Sequence, residues 1–223
     1  MIRENPFPHI VWDNFLDEET ISSVKKEFPS VDSDFWTWKS NDTNSIKYMC
    51  QERSLIEKLP NTINLINHLN SSYFCGILSS IFEIPDLVGD DALSGGGLHM
   101  VGNNGFLKVH ADFNQSDKKI GYWRRLNLLL YLNDDWKKIY NGNLELWNTD
   151  LTKAEVEIEP ISNRMVCFNT QPDGDVIAYH GHLKPLNVPT DIYRKSIALY
   201  YYTKEKPNNL LSEKHKTLYM DVQ

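Results

Sequence analysis

The sequence predicts a mainly β chain with α-helices at its N-terminal end, and three observations carry that prediction. Between 51 and 82 the residues Leu55, Leu59, Ile63, Ile66, Leu69 and Phe74 recur near every third or fourth place, the period of a helix face. From 105 onward, apolar runs of strand length alternate with turns rich in Asn, Asp, Gly and Pro. No long helical pattern separates those strands, so they point to a sandwich or barrel and away from parallel βαβ units.

A chain of 223 residues with 41% hydrophobic and 24% charged residues can bury a core without staples. It reads as one domain: an N-terminal strand and supporting helices at 1–93, a β core at 94–205 and a C-terminal tail at 206–223. Lys and Arg number 23 against 30 Asp and Glu, a net charge of -7, which argues against a non-specific nucleic-acid binder. Cys50, Cys75 and Cys167 lack metal-knuckle spacing and suit free thiols in a reducing cytoplasm. The N-terminus carries acids and two prolines where a signal peptide has an apolar core, and the longest apolar run, LNLLLYL at 126–132, has strand length. A cytoplasmic protein without a membrane anchor is expected.

In chain order, 8–15 reads as a short strand, and Asp17 as the cap of a helix with acids in its first turn that runs to about Phe28 and stops before Pro29. The stretch 30–44 is polar, with Trp36 and Trp38 on one face if extended, and is expected to be irregular or a short strand. The helical period of 51–82 is interrupted near Pro60 and at Gly76, and its place is to cover one face of a sheet. Gly95-Gly96-Gly97 is no phosphate loop, since neither Gly-Lys-Ser/Thr nor a long helix follows it. A strand at 98–101 and a turn at 102–105 come next, then strands at 105–112, 125–133, 143–148, 154–159, 164–169, 175–180 and 195–203. Within 126–133, Leu126, Leu128, Leu130 and Leu132 take one face, the core side. Asn127, Leu129, Tyr131 and Asn133 take the other, which can line a pocket.

Residues i and i+2 of a strand share a face at about 6–7 Å, so His110 and Asp112 can address one metal. A second histidine would complete a facial triad, which leaves three positions of an octahedral iron open. His180, at the end of the strand-like VIAYH, can supply it, and so can His182; spacing alone does not separate them.

Six segments carry a resemblance: HADF at 110–113, RRLNLLLYLNDDW at 124–136, NLELW at 143–147, EPISNRMVCFNT at 159–170, YHGH at 179–182 and RKSIALYYYT at 194–203. Together they resemble the catalytic core of the iron(II) and 2-oxoglutarate dependent dioxygenases, in particular the prolyl 4-hydroxylase-like group. The likeness covers about 94–203, and in weaker form PHIVWDNFLDEET at 8–20. It implies a double-stranded β-helix, a cupin-like jelly-roll barrel of eight strands backed by N-terminal helices. It implies Fe(II) held by His110, Asp112 and His180, with His182 left beside the ligands or in a loop. An aspartate at 112, where related halogenases keep a small residue, favours hydroxylation.

The same resemblance implies 2-oxoglutarate as cosubstrate, O2 as oxidant and ascorbate as a reductant. Arg194 matches the arginine that takes the distal carboxylate, a pairing suited to a planar guanidinium fork. Ser196 and Tyr131 match its helpers, and Asn127 and Leu129 match positions lining that pocket. Two departures bear on substrate: Met100 stands where many prolyl hydroxylases have tyrosine, and the spacing from His180 to Arg194 is wider than usual, predicting an extra loop at 182–193. Arg124, Trp123 and Trp147 are candidates for the substrate mouth.

The expected reaction is hydroxylation of an unactivated C–H bond, most simply of a prolyl residue in a peptide or protein. The alternatives are the same chemistry on a small molecule or saccharide, and an inactive jelly-roll binding module. Expected partners are the protein, peptide or small-molecule substrate and, through exposed strand edges, a second copy; both monomer and homodimer fit.

Overall fold

The computed structural model describes residues 1–116, 118–209, 211, 213–222. Strand β1 (His9–Trp12) leads into helix α1 (Glu18–Glu27), whose N-cap Asp17 accepts from the Thr20 amide at 2.8 Å. Strands β2 (Trp38–Asn41) and β3 (Ile46–Cys50) form a hairpin; β2 falls inside the stretch expected to be irregular or strand, whereas β3 lies in sequence that carried no assignment. Helices α2 (Arg53–Ile56), α3 (Pro60–Leu69) and α4 (Ser72–Phe82) follow.

The helical stretch is interrupted just before Pro60, as expected, between α2 and α3. Pro60 opens α3, where its missing N–H costs nothing, and Glu27 at the end of α1 accepts from the Asn61 and Thr62 amides at 2.9 and 2.8 Å. Gly76 leaves α4 unbroken.

The remaining strands are β4 (Val88–Gly89), β5 (Gly97–Val101), β6 (Leu107–Ala111), β7 (Trp123–Tyr131), β8 (Leu144–Trp147), β9 (Ala154–Ile158), β10 (Met165–Asn169), β11 (His180–His182), β12 (Arg194–Thr203) and β13 (Leu218–Tyr219). They pair antiparallel in two sheets. The larger has eight strands in the order β1-β10-β7-β12-β5-β3-β2, with β4 on β12; the smaller runs β13-β6-β11-β8-β9.

This corrects the expected fold. The jelly-roll barrel of eight strands does not form: the sheets are not closed into a barrel, and the whole is a mixed β/α fold. Two local causes are visible. The N-terminal strands β1, β2 and β3 join the larger sheet and extend it outward at both edges. Residues 175–179, expected as strand, form no regular ladder: Tyr179 N–H turns back to Ile177 O and Ile177 N–H goes to the Thr149 hydroxyl, while Tyr179 O still accepts from the Trp147 amide of β8, so the regular strand is only the three residues at 180–182.

Strand alternation assigns the two faces of the larger sheet. Leu126, Leu128 and Leu130 join Leu98, Met100, Ile197 and Leu199 in a core shared with Ile21, Ile66 and Leu78 of the helices. Tyr131, Val166 and Phe168 on the opposite face pack with Leu144, Leu146 and Ile158 of the smaller sheet. The layers are therefore helices, larger sheet, smaller sheet, and the polar residues of β6, β7, β11 and β12 meet between the sheets.

Candidate active site

Gly181 determines how closely β11 approaches β6. A Cβ there would meet the carbonyl oxygens of Leu107 and Lys108 at 2.9 Å, so a side chain is excluded. At this approach His180 lies directly opposite His110, their ring centroids 4.3 Å apart. The register then shifts before His182. Asp112, just past β6, completes the group: one ligand atom from each of His110, Asp112 and His180 lies within 4.8 Å of the others. His182 is not part of the group.

The imidazoles are oriented from behind. His110 Nδ1 pairs with Lys108 O at 2.8 Å and His180 Nδ1 with Ala178 O at 3.0 Å, which makes Nδ1 the donor and turns the Nε2 lone pairs inward. The Nε2 atoms reach the two Asp112 oxygens at 3.6 and 3.7 Å. Burial pushes His180 down to about 4, with His110 beside it adding to the effect, so the imidazole is neutral at ordinary pH, as a metal ligand must be.

Asp112 has its own supports. Arg124 Nη1 stands 3.0 Å from Oδ2, and Asn127 Nδ2 donates to the same oxygen at 3.2 Å. Burial alone would raise this carboxyl. The guanidinium of Arg124, helped by His180 and His110, overcomes it and holds the group well below the usual carboxylate range.

Arg124 thus does not sit at a substrate mouth. It is fully buried, its guanidinium carbon 3.6 Å from the ring centroids of both Phe113 and Tyr200. The reason is a bulge: β7 pairs Leu126 with Tyr201 but Arg124 with Tyr202, so one residue is skipped and Arg124 is turned to the side of Asn127.

The triad opens into a cavity of about 190 Å³. Arg194, Ser196, Asn127 and Leu129 line it. Arg194 is held by a bond from its Nε to Gly142 O at 2.7 Å and donates from Nη2 to the Tyr131 hydroxyl at 3.2 Å. Tyr131 is fully buried behind the arginine, and Ser196 pairs in register with both Tyr131 and His99.

Met100 faces the helices, so the pocket-facing residues of β5 are His99 and Val101. Trp147 lies on the outer side of the smaller sheet, because Leu144 and Leu146 take the inward positions, and its indole donates to Glu145 at 3.0 Å. Trp123 packs near Lys206, whose Nζ is 5.3 Å from its ring, and does not line the cavity. The 182–193 loop closes over Val101 and Tyr140 through Leu186 and Val188.

Sequence reasoning missed part of this wall. Lys47 on β3, His99, and the tail residues Thr217 and Tyr219 all line the cavity. Burial lowers Lys47 to about 8, with Asp112 opposing that shift and Arg194 adding to it; burial next to Lys47 lowers His99 to about 3. Alternation in IKYMC was the one available signal, since Tyr48 joins the core while Lys47 and Met49 face the pocket.

Residues 96–202 match the family model described as the 2OG-Fe(II) oxygenase superfamily. The match spans just under half of the chain, which over those residues is similar to that superfamily. With its buried, convergent donor set of two imidazoles and one carboxylate, which fits the ion, the chain is an Fe(II)- and 2-oxoglutarate-dependent dioxygenase.

The fold is shared with solved relatives. A prolyl 4-hydroxylase structure from Phytophthora capsici is 20% identical with a TM-score of 0.58, over 86% of this chain and 58% of that one. A Trichoplax adhaerens prolyl hydroxylase, solved with a hypoxia inducible factor peptide fragment, is 16% identical with a TM-score of 0.56, over 87% and 83%. A 2OG-Fe(II) oxygenase family oxidoreductase from Burkholderia pseudomallei is 8% identical with a TM-score of 0.52, over 90% and 86%. Among the described residues no helix is long and apolar enough to cross a membrane.

Proposed function

We propose that this oxygenase hydroxylates a prolyl residue in a peptide or protein, with His110, Asp112 and His180 as the iron ligands and Arg194 as the anchor of 2-oxoglutarate. The observation that carries this reading is the convergence of the triad and a buried, pre-oriented arginine on one cavity. The fold shared with two prolyl hydroxylases supports the prolyl substrate.

Each residue has a share. Arg124 and Asn127 engage Oδ2 of Asp112 and so leave Oδ1 to face the metal position. Arg194, Tyr131 and Ser196 take the distal carboxylate of 2-oxoglutarate, a charge-assisted contact strengthened by burial. Lys47 and His99 form the opposite wall, and Lys47 adds a second cation for a dianionic cosubstrate. Bound Fe(II) with 2-oxoglutarate and O2 supplies the oxidation, one oxygen atom going to succinate as CO2 leaves and the other to the substrate C–H bond. Neutral His180 and ionised Asp112 are the protonation states that metal binding requires. Three buried free thiols support a reducing, cytoplasmic setting for a single catalytic unit.

The test is mass spectrometry of a prolyl peptide panel and of metabolite extracts incubated with Fe(II), 2-oxoglutarate and O2. One added oxygen atom on a prolyl peptide is expected. Oxygen gain confined to metabolites would remove the prolyl assignment, and no succinate above background with either would favour a binding module.

A further inference from the structure

A second cavity, of about 600 Å³, adjoins the metal cavity, sharing Gly95, Phe113 and Thr217 with it. Its wall holds Lys118, Lys214, Lys216 and His215, and no carboxylate among its described lining residues. In a chain of net charge -7 this is a local inversion of sign beside the reaction centre. Neighbouring charges are turned elsewhere: Glu213 pairs with Lys206 at 3.2 Å, and Lys119 donates to Gly89 O at 2.6 Å.

The basic wall is tied to the metal site by one residue. Asn114, two places after Asp112 and fully buried, donates to Leu211 O at 2.8 Å and Glu213 O at 2.7 Å, and accepts from the His215 amide at 3.0 Å. Its carbonyl accepts from the Arg124 amide at 2.9 Å. The C-terminal segment is thereby fastened beside Asp112, which brings Lys214 and Lys216 to the cavity. The buried Nε2 of His215 has no hydrogen-bond partner there.

We propose that this antechamber binds an acidic segment of the peptide substrate, its Asp or Glu carboxylates lying against Lys118, Lys214 and Lys216 while the reacting residue enters the metal cavity. The inference rests on the prolyl peptide reading above and adds the substrate's charge. A peptide fits better than a nucleic acid, because three exposed cations clustered around one cavity do not form the extended basic stripe that a phosphate backbone needs.

The test measures affinity and turnover separately. Under anaerobic conditions, with Fe(II) and 2-oxoglutarate bound, fluorescence anisotropy compares prolyl peptides with acidic, neutral and lysine flanks. The acidic peptide should bind roughly tenfold more tightly than the neutral one at low salt, with the advantage shrinking as salt rises. The K118E/K214E/K216E variant should invert the order in favour of lysine flanks, an outcome no misfolded protein gives. Equal affinities, an order unchanged in the variant, or tighter binding of an RNA oligonucleotide would overturn the proposal. Admission of air separates the two readings. Acidic peptides that bind in the expected order but gain no oxygen retain the anion site and remove the prolyl assignment. Prolyl peptides hydroxylated equally well whatever their flanks do the reverse.

Discussion

The two adjoining cavities are built from opposite kinds of chain. The inner one is made by strands: His110 and His180 face each other through the β6–β11 register, and Asn127 and Arg194 come from the long β7 and β12. The outer one is made by non-strand segments, Gln51, Ser94 and Gly95 on one side and the segment after Asp112 with the C-terminal tail on the other, the tail fastened mainly through Asn114. Strand pairing holds reacting groups to within fractions of an ångström, as chemistry requires, whereas loops and tails vary without disturbing it. The difference teaches that catalysis and selectivity can fail separately in this molecule.

The largest effect should come from the inner cavity. Asp112→Ala removes one metal ligand and leaves buried Arg124 without its carboxylate; succinate formation should fall to background, and retained turnover would break the assignment. Arg194→Met should raise KM for 2-oxoglutarate roughly 100-fold, the scale of losing one partner of a buried charged contact, as initial rates over a cosubstrate series would show. Arg124→Gln should weaken Fe(II) binding roughly 10- to 100-fold, since it acts on the ligand from behind; anaerobic titration reads this directly.

Asn114→Leu sharpens the comparison. With the tail unfastened, KM for an acidic peptide should rise severalfold while Fe(II) affinity stays within error of wild type, a split that a single shared cavity would not show.

The smallest effect concerns pH. His180, His182 and His99 all have folded-state values below the ordinary 6.5, His180 at about 4 and His99 at about 3, with burial the main cause for each. The unfolded chain therefore binds more protons between those values and 6.5. Native stability should be full above about 6.5 and fall as the pH drops toward 4. Thermal melts of the metal-free protein should show Tm declining over that window; a flat or rising profile would contradict it.

How much of this was legible in the sequence follows the same division. The alternation in 126–132 separated core leucines from pocket residues, and HADF, YHGH and RKS marked the strands that now meet. Helix α1 was readable from its Asp17 cap. What period-two reasoning cannot see is a bulge, and one bulge turned Arg124 from an expected mouth residue into the partner of Asp112. Sheet closure is also non-local: whether 175–179 extends a sheet depends on partners distant in sequence, and here the Ile177 amide meets the Thr149 hydroxyl in place of a ladder partner. Lys47 carries no motif, and the tail's role depends on the long-range contacts of Asn114.

The central claim is that β11 offers His180 and not His182 to the metal, because Gly181 brings the former opposite His110. Anaerobic Fe(II) binding to wild type, His180→Ala and His182→Ala tests it most directly. Wild type and His182→Ala should each bind iron tightly in the presence of 2-oxoglutarate, and His180→Ala should not. Iron retained by His180→Ala and lost by His182→Ala would contradict the account.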